Sequence, residues 1–182
     1  MKLRVSLLAP ALVLLGVACS PILDVHGGAV APVDVSSRST FTVDAPAGSP
    51  PGFSGSDRSA DVARRVAAIA ARLLTSKGYS VADSSGAKPA DLRLEIRVGR
   101  RDEKLAPVFP MPRPSSPGGY VEATEADDAR VGALVIDVVD VASGLIVWHG
   151  AARVVIDPDA PIDDSLVERS TGAILATFPA RR

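Results

Sequence analysis

Residues 133–156 read ALVIDVVDVASGLIVWHGAARVVI, and this stretch decides the fold. Two runs rich in β-branched side chains, ALVIDVVD and LIVWHGAARVVI, flank a short turn that has Gly144 near its end. This arrangement is typical of a β-hairpin. Trp148 in the second run is predicted to fill the space beneath a helix, and Gly150 beside it indicates a bulge or a close backbone approach.

A second strand is predicted upstream of the hairpin, where residues 92–98 read LRLEIRV. Apolar and charged side chains alternate strictly, which is typical of a strand that is buried on one face and wet on the other. Such strands belong to antiparallel sheets that are covered on one side. The apolar face consists of Leu92, Leu94, Ile96 and Val98.

Two helices are available to cover that face. Residues 57–77 carry apolar side chains at helical spacing and are followed by Gly78, the kind of residue that ends a helix in the left-handed conformation. Asp163 or Asp164 is predicted to cap a second helix that runs to about residue 177. The apolar positions of the first helix include Val62, Val66, Ile69, Ala70, Leu73 and Leu74.

These elements predict an α+β fold, with an antiparallel sheet of four or five strands and two helices packed on one face. Residues 33–43 are expected to form one edge strand with an irregular middle, and residues 33–182 to form a single domain. The chain has 20 basic and 21 acidic residues and a net charge of −1, so its charge gives no reason to expect nucleic acid as a partner.

The first 18 residues predict a secretory signal peptide, with Lys2 and Arg4 before an apolar run and a small residue at the cleavage point. Residues 16–19, Gly-Val-Ala-Cys, resemble the lipobox of bacterial lipoproteins, in which the cysteine becomes the acylated first residue. The resemblance implies fatty acyl chains such as palmitate on Cys19. Ordinary cleavage after Ala18, which would leave a free thiol, is the alternative.

An acylated Cys19 would place the protein in the bacterial cell envelope, with membrane lipid as its first partner. By the rule known for enteric lipoproteins, Ser20 after the cysteine implies the periplasmic face of the outer membrane. Residues 19–32 are small, polar and rich in Gly and Ala, so we expect a tether between the lipid and the domain.

Residues 102–130 are predicted to form an unusually long loop with five prolines between residues 107 and 117. A loop of this length inside a compact domain is either functional or irregular. Its FPMPRP stretch could hold an extended polyproline conformation and present side chains to an envelope protein. The candidate contacts are Phe109, Met111, Arg113 and Tyr120. A plain surface loop is the alternative.

The sequence offers little for catalysis. Histidine occurs only at His26 and His149, and neither a zinc-ligand pattern nor a nucleophile or phosphate-loop motif is present. We therefore predict no catalytic residue, metal or cofactor, and expect a non-enzymatic binding or structural module. The alternative is an envelope hydrolase or other enzyme that uses His149 and nearby carboxylates such as Asp137.

Several short motifs occur in an order that resembles the bacterial lipoprotein family known as domain of unknown function 4136. They are Lys77-Gly78-Tyr79, Ala90-Asp91-Leu92, residues 132–137, Trp148-His149-Gly150 and Phe178-Pro179. The resemblance covers most of the chain from about residue 33. It implies an envelope lipoprotein and supplies no activity.

Overall fold

A computed structural model describes residues 22–44, 46–82, 89–104, 128–157 and 161–182. Within these residues, six strands form one sheet in the order β1-β6-β5-β4-β2-β3. The strands are β1 (Ile22–Ala29), β2 (Thr40–Val43), β3 (Ser80–Val81), β4 (Leu92–Lys104), β5 (Asp128–Asp140) and β6 (Leu145–Ile156). The helices are α1 (Asp57–Ser76) and α2 (Asp164–Leu175), and a 3₁₀ turn spans Val35–Ser37.

The predicted hairpin is confirmed. β5 and β6 pair antiparallel around a turn in which Gly144 has a φ of +70°. The pairing shifts by one residue beside Val138 and Val139, so Val147 is the extra residue of a bulge in β6. Beyond the bulge Trp148 lies opposite Val138 and His149 lies opposite Asp137.

The predicted α+β class is confirmed, but the sheet is mixed and has six strands in the described residues, not an antiparallel four or five. β2 runs parallel to both β3 and β4. The reason is the crossover through α1, which carries the chain back to the end of the sheet where β2 starts.

The expected edge strand over residues 33–43 is wrong in two respects. Its first part holds the 3₁₀ turn at Val35–Ser37, which Asp34 caps through the backbone N–H of Ser36. Its second part is β2, which has β4 on one side and β3 on the other and so is not an edge. Local β propensity could not show that a later segment would pair outside it.

The expected tether over residues 19–32 is corrected as well, because Ile22–Ala29 forms the edge strand β1 and pairs antiparallel with β6. Glycine is typical of linkers, but Gly27 packs closely against Trp148. A Cβ atom at Gly27 would lie 2.6 Å from Cζ2 of Trp148. The glycine lets β1 pass close to the indole ring.

The long loop is shorter than predicted at both ends, since β4 continues to Lys104 and β5 begins at Asp128. Residues 105–127 lie outside the described residues. The candidate contacts in that segment stay predictions: Phe109, Met111, Arg113 and Tyr120.

Large aromatic side chains fill one end of the space between helices and sheet. The rings of Trp148 and Phe178 meet edge to face with centroids 5.5 Å apart, and those of Tyr79 and Phe178 lie 5.6 Å apart. Lys77 donates from Nζ to the carbonyl of Phe178 over 2.8 Å, which fixes the chain after α2. We call this region the aromatic end.

Asp91 ties the start of β4 to the start of β2. Its carboxylate accepts hydrogen bonds from the backbone N–H of Ser39 at 2.9 Å and of Thr40 at 3.0 Å. These bonds to the charged form, with that of Ser39 the largest cause, hold the pKa of Asp91 well below its usual range.

Neither helix in the described part of the chain is long and apolar enough to cross a membrane.

We predict that Gly150→Ala lowers the free energy of unfolding by roughly 1–3 kcal/mol, because overpacking forces neighbours off their rotamers. The new Cβ would lie 2.5 Å from the Trp148 ring and 2.6 Å from Ile174. Denaturant unfolding followed by circular dichroism measures the change. Gly172→Ala in α2 is the control, since nothing lies within 4 Å of its added Cβ. Equal stabilities for the two variants would contradict the packing argument.

For Asp91→Ala we expect a loss of roughly 2 kcal/mol at neutral pH, the size of a hydrogen bond to a charged group. The folded-state pKa is lowered, so this contribution is present above the ordinary carboxyl pKa of about 4 and disappears as the pH falls through the folded value. Unfolding curves at descending pH should therefore show wild type and variant converging. A difference that stays constant down to about pH 2 would be inconsistent with this linkage.

Candidate functional site

An open groove lies at the end of the domain opposite the aromatic end, between the N-terminal turns of α1 and α2 and the sheet. It encloses about 700 Å³, counting the solvent space at its mouth. We call it the helix-end groove. Its apolar walls come from both helices, from the strands β4, β5 and β6 and from the segment before α2, and include Val62, Val66, Val98, Leu134, Ala152, Val154, Ile156, Ile162, Leu166 and Val167.

The groove is open because small residues occupy the interface at this end. The two helices run in the same direction, joined by Arg65 with Asp164 and by Arg72 with Glu168. No aromatic side chain of the described residues lines the groove. The small residues that line it include Ser56, Ser59, Gly132, Ala152 and Ser170.

Polar groups occur at two places in the groove. Arg58 and Arg100 are exposed at its mouth and form no ion pair with any described residue, whereas Arg130 pairs with Asp102 at 2.9 Å. Deeper in, Ser170 is only 4% exposed, and its Oγ has no hydrogen-bond partner in the described residues. Buried hydroxyl groups are usually bonded, so this one requires an explanation.

The start of β1 lies beside the groove. Ile22 is opposite Val154 in the sheet, and Val154 lines the groove. Cys19 lies outside the described residues and precedes Ile22 by three positions. Three extended residues span roughly 10 Å, so Cys19 lies within about that distance of the first residue of β1.

The sheet face away from the helices carries a second arrangement, built around the fully buried Asp137. One oxygen of its carboxylate lies 2.6 Å from Nδ1 of His149, and the other forms an ion pair with Arg97. His26 on β1 lies next to His149, with ring centroids 5.8 Å apart. An Nδ1–H that donates to Asp137 leaves Nε2 of His149 as the free acceptor.

A histidine oriented by a carboxylate is one part of a general-base arrangement, and the other parts are not present in the described residues. No described serine, threonine or cysteine side chain bonds His149. No described group of three or more His, Cys, Asp and Glu side chains is placed to hold a metal ion. Asp140 lies on the opposite face, where Arg38 reaches it at 2.7 Å.

Charged side chains on this open face are largely engaged with one another. Glu103 accepts hydrogen bonds from Arg153, at 2.6 Å, and from Arg101. These bonds, that from Arg153 first, lower the pKa of Glu103. Val131 of β5 is fully buried.

The structure thus brings together two residues that sequence reasoning named, His149 and Asp137. It also shows a site that the sequence did not indicate. Arg58, Arg100 and Ser170 belong to three different elements, and no local motif connects them. Only the packing of the helices on the sheet makes them neighbours.

The fold and the groove define an α+β domain with a preformed apolar site at one end. Residues 30–180 match the model of a domain of unknown function family, DUF4136. The chain belongs to this family, and the resemblance found in the sequence motifs is confirmed. No curated protein sequence matches the chain.

The chain is similar to solved structures at low sequence identity. A PelC dodecamer from Paraburkholderia phytofirmans is 14% identical, with a TM-score of 0.50 over 87% of this chain and 99% of that chain. A PDZ domain protein from Parabacteroides distasonis is 10% identical, with a TM-score of 0.56 over 90% of this chain and 37% of that chain. A DUF4136 family protein from Bacteroides thetaiotaomicron is 14% identical, with a TM-score of 0.47 over 83% and 92%.

Proposed function

We propose that this protein is a non-enzymatic binding module of the bacterial cell envelope, anchored by acyl chains on Cys19, with the helix-end groove as its ligand site. The observation that carries the proposal is the position of the groove beside Ile22, the first residue of β1. An anchor three residues upstream would hold this end of the domain against the membrane.

The short connection is the first support. A tether of about 14 residues would let the domain tumble well away from the lipid, whereas the β1 strand leaves only roughly 10 Å of chain. On this proposal the aromatic end and the turn between β5 and β6 point away from the membrane. Two or three acyl chains suffice for stable anchoring, since each buried CH₂ contributes roughly 0.8 kcal/mol.

The chemistry of the groove is the second support. Its described lining holds neither histidine nor cysteine, and the arginines at its mouth carry no general-base function at ordinary pH. Apolar walls with a few polar groups are typical of sites that bind a ligand and fix its orientation. A binding role therefore suits the groove better than a reaction.

We expect Cys19→Ala in the full chain to abolish membrane retention. The wild-type protein extracted from membranes in detergent should have the mass of residues 19–182 plus acyl chains. Intact-mass spectrometry with cell fractionation measures both outcomes, and Ser20→Ala is the matched control that should stay acylated. A wild-type protein with no added mass in the non-membrane fraction would refute the anchor.

A second candidate function, an envelope hydrolase, rests on the contact between His149 and Asp137. Under the binding proposal, His149→Ala should leave every envelope phenotype of a deletion strain complemented. His26→Ala is the matched control because the two rings are neighbours on the same face. Loss of complementation by His149→Ala alone, in a protein of unchanged stability, would favour the enzyme.

A further inference from the structure

We propose that the helix-end groove binds the acyl chain of a single-chain amphiphile with an anionic headgroup, such as a long-chain fatty acid. The hydrocarbon would lie along the apolar walls, and the headgroup would meet Arg58 and Arg100 at the mouth. The inference rests on the proposed function in that it specifies the ligand class of the same groove.

The lining fits a hydrocarbon chain. Valine, leucine and isoleucine side chains from both helices and the sheet form its walls. A ligand that buried only apolar atoms there would gain the transfer free energy of each methylene group.

The arginines at the mouth of the groove determine which headgroup a ligand can carry. Arg58 and Arg100 are exposed at the mouth without an acidic partner in the described residues. Arg130 forms an ion pair with Asp102. Asp157 also lines the groove and is itself engaged in an interaction. The two unshared guanidinium groups favour a carboxylate or phosphate over a neutral or cationic head.

Ser170 is independent evidence that the helix-end groove holds a ligand. The residue is only 4% exposed, and its Oγ forms no hydrogen bond with any described group. In a closed protein core such a hydroxyl is normally hydrogen-bonded, or an apolar residue occupies its position. With the headgroup at the mouth, the Ser170 hydroxyl can bond a water held in the groove beside the hydrocarbon chain.

The first test compares two probes on the wild-type full chain by equilibrium dialysis in detergent below its micelle concentration. Palmitate should bind saturably with one molecule per chain and at least tenfold more tightly than 1-hexadecanol, which has the same hydrocarbon length and no charge. This comparison needs no variant. No saturable binding, or equal binding of acid and alcohol, would overturn the proposal.

Variants then locate the site. Ser170→Leu should fill the groove and weaken palmitate binding at least tenfold, whereas Ala173→Leu places a leucine at an exposed position of α2 and should not weaken it.

Arg58→Glu with Arg100→Glu should weaken palmitate binding and leave 1-hexadecanol binding unchanged. Arg169→Glu with Arg181→Glu makes the same change in charge elsewhere and should leave both affinities unchanged. Palmitate binding that survives Ser170→Leu in a folded protein would place the ligand elsewhere.

The acylated wild type and the Cys19→Ala chain separate this inference from the anchor. Binding to both forms supports an exchangeable amphiphile. Binding to Cys19→Ala alone would mean that the protein's own acyl chain fills the groove, and it would overturn the proposal of an exchangeable ligand. An unacylated wild type that still binds palmitate would refute the acyl anchor on Cys19 and would support the proposed ligand of the groove.

Discussion

The one-residue bulge at Val147 is the constraint on which the rest of the structure depends. A hairpin that continued the pairing of Asp140 with Leu145 would set Trp148 opposite Asp137, and a slip of one residue exchanges the two faces of a strand. With the bulge, Trp148 turns beneath the helices and His149 turns to the open face beside Asp137. The buried indole then requires glycine at positions 27 and 150.

The two ends of the helix–sheet interface differ in the size of their side chains. Trp148, Tyr79 and Phe178 fill the space between helices and sheet at the aromatic end. At the opposite end the small residues Gly132 and Ala152 of the sheet and Ser170 of α2 line a groove that is not filled. One end of the interface is therefore filled, and the other is an open apolar groove next to the start of β1.

Local patterns predicted the elements whose causes are local: the hairpin with Gly144, the helix that ends before Gly78, and the cap at Asp163. They failed where the cause is distant. The parallel pairing of β2 follows from the crossover through α1. The sequence of β1 is typical of a tether because the cause of Gly27 is a tryptophan more than 100 positions away. The histidine and aspartate of the open face could be named, but their contact depends on the bulge. The groove had no sequence signal, because two helices and three strands form it and no local motif connects them.

Photolabelling is the most direct test of whether an acyl chain occupies the helix-end groove. Palmitate with a diazirine near its methyl end would be bound to the full chain and activated by light, and the labelled residues would be mapped by peptide mass spectrometry. We expect labels on the groove walls, around Val62 to Val66 and Leu166 to Ser170. Labels confined to the exposed Leu145 and Ile146 near the turn, or scattered over the surface, would contradict it.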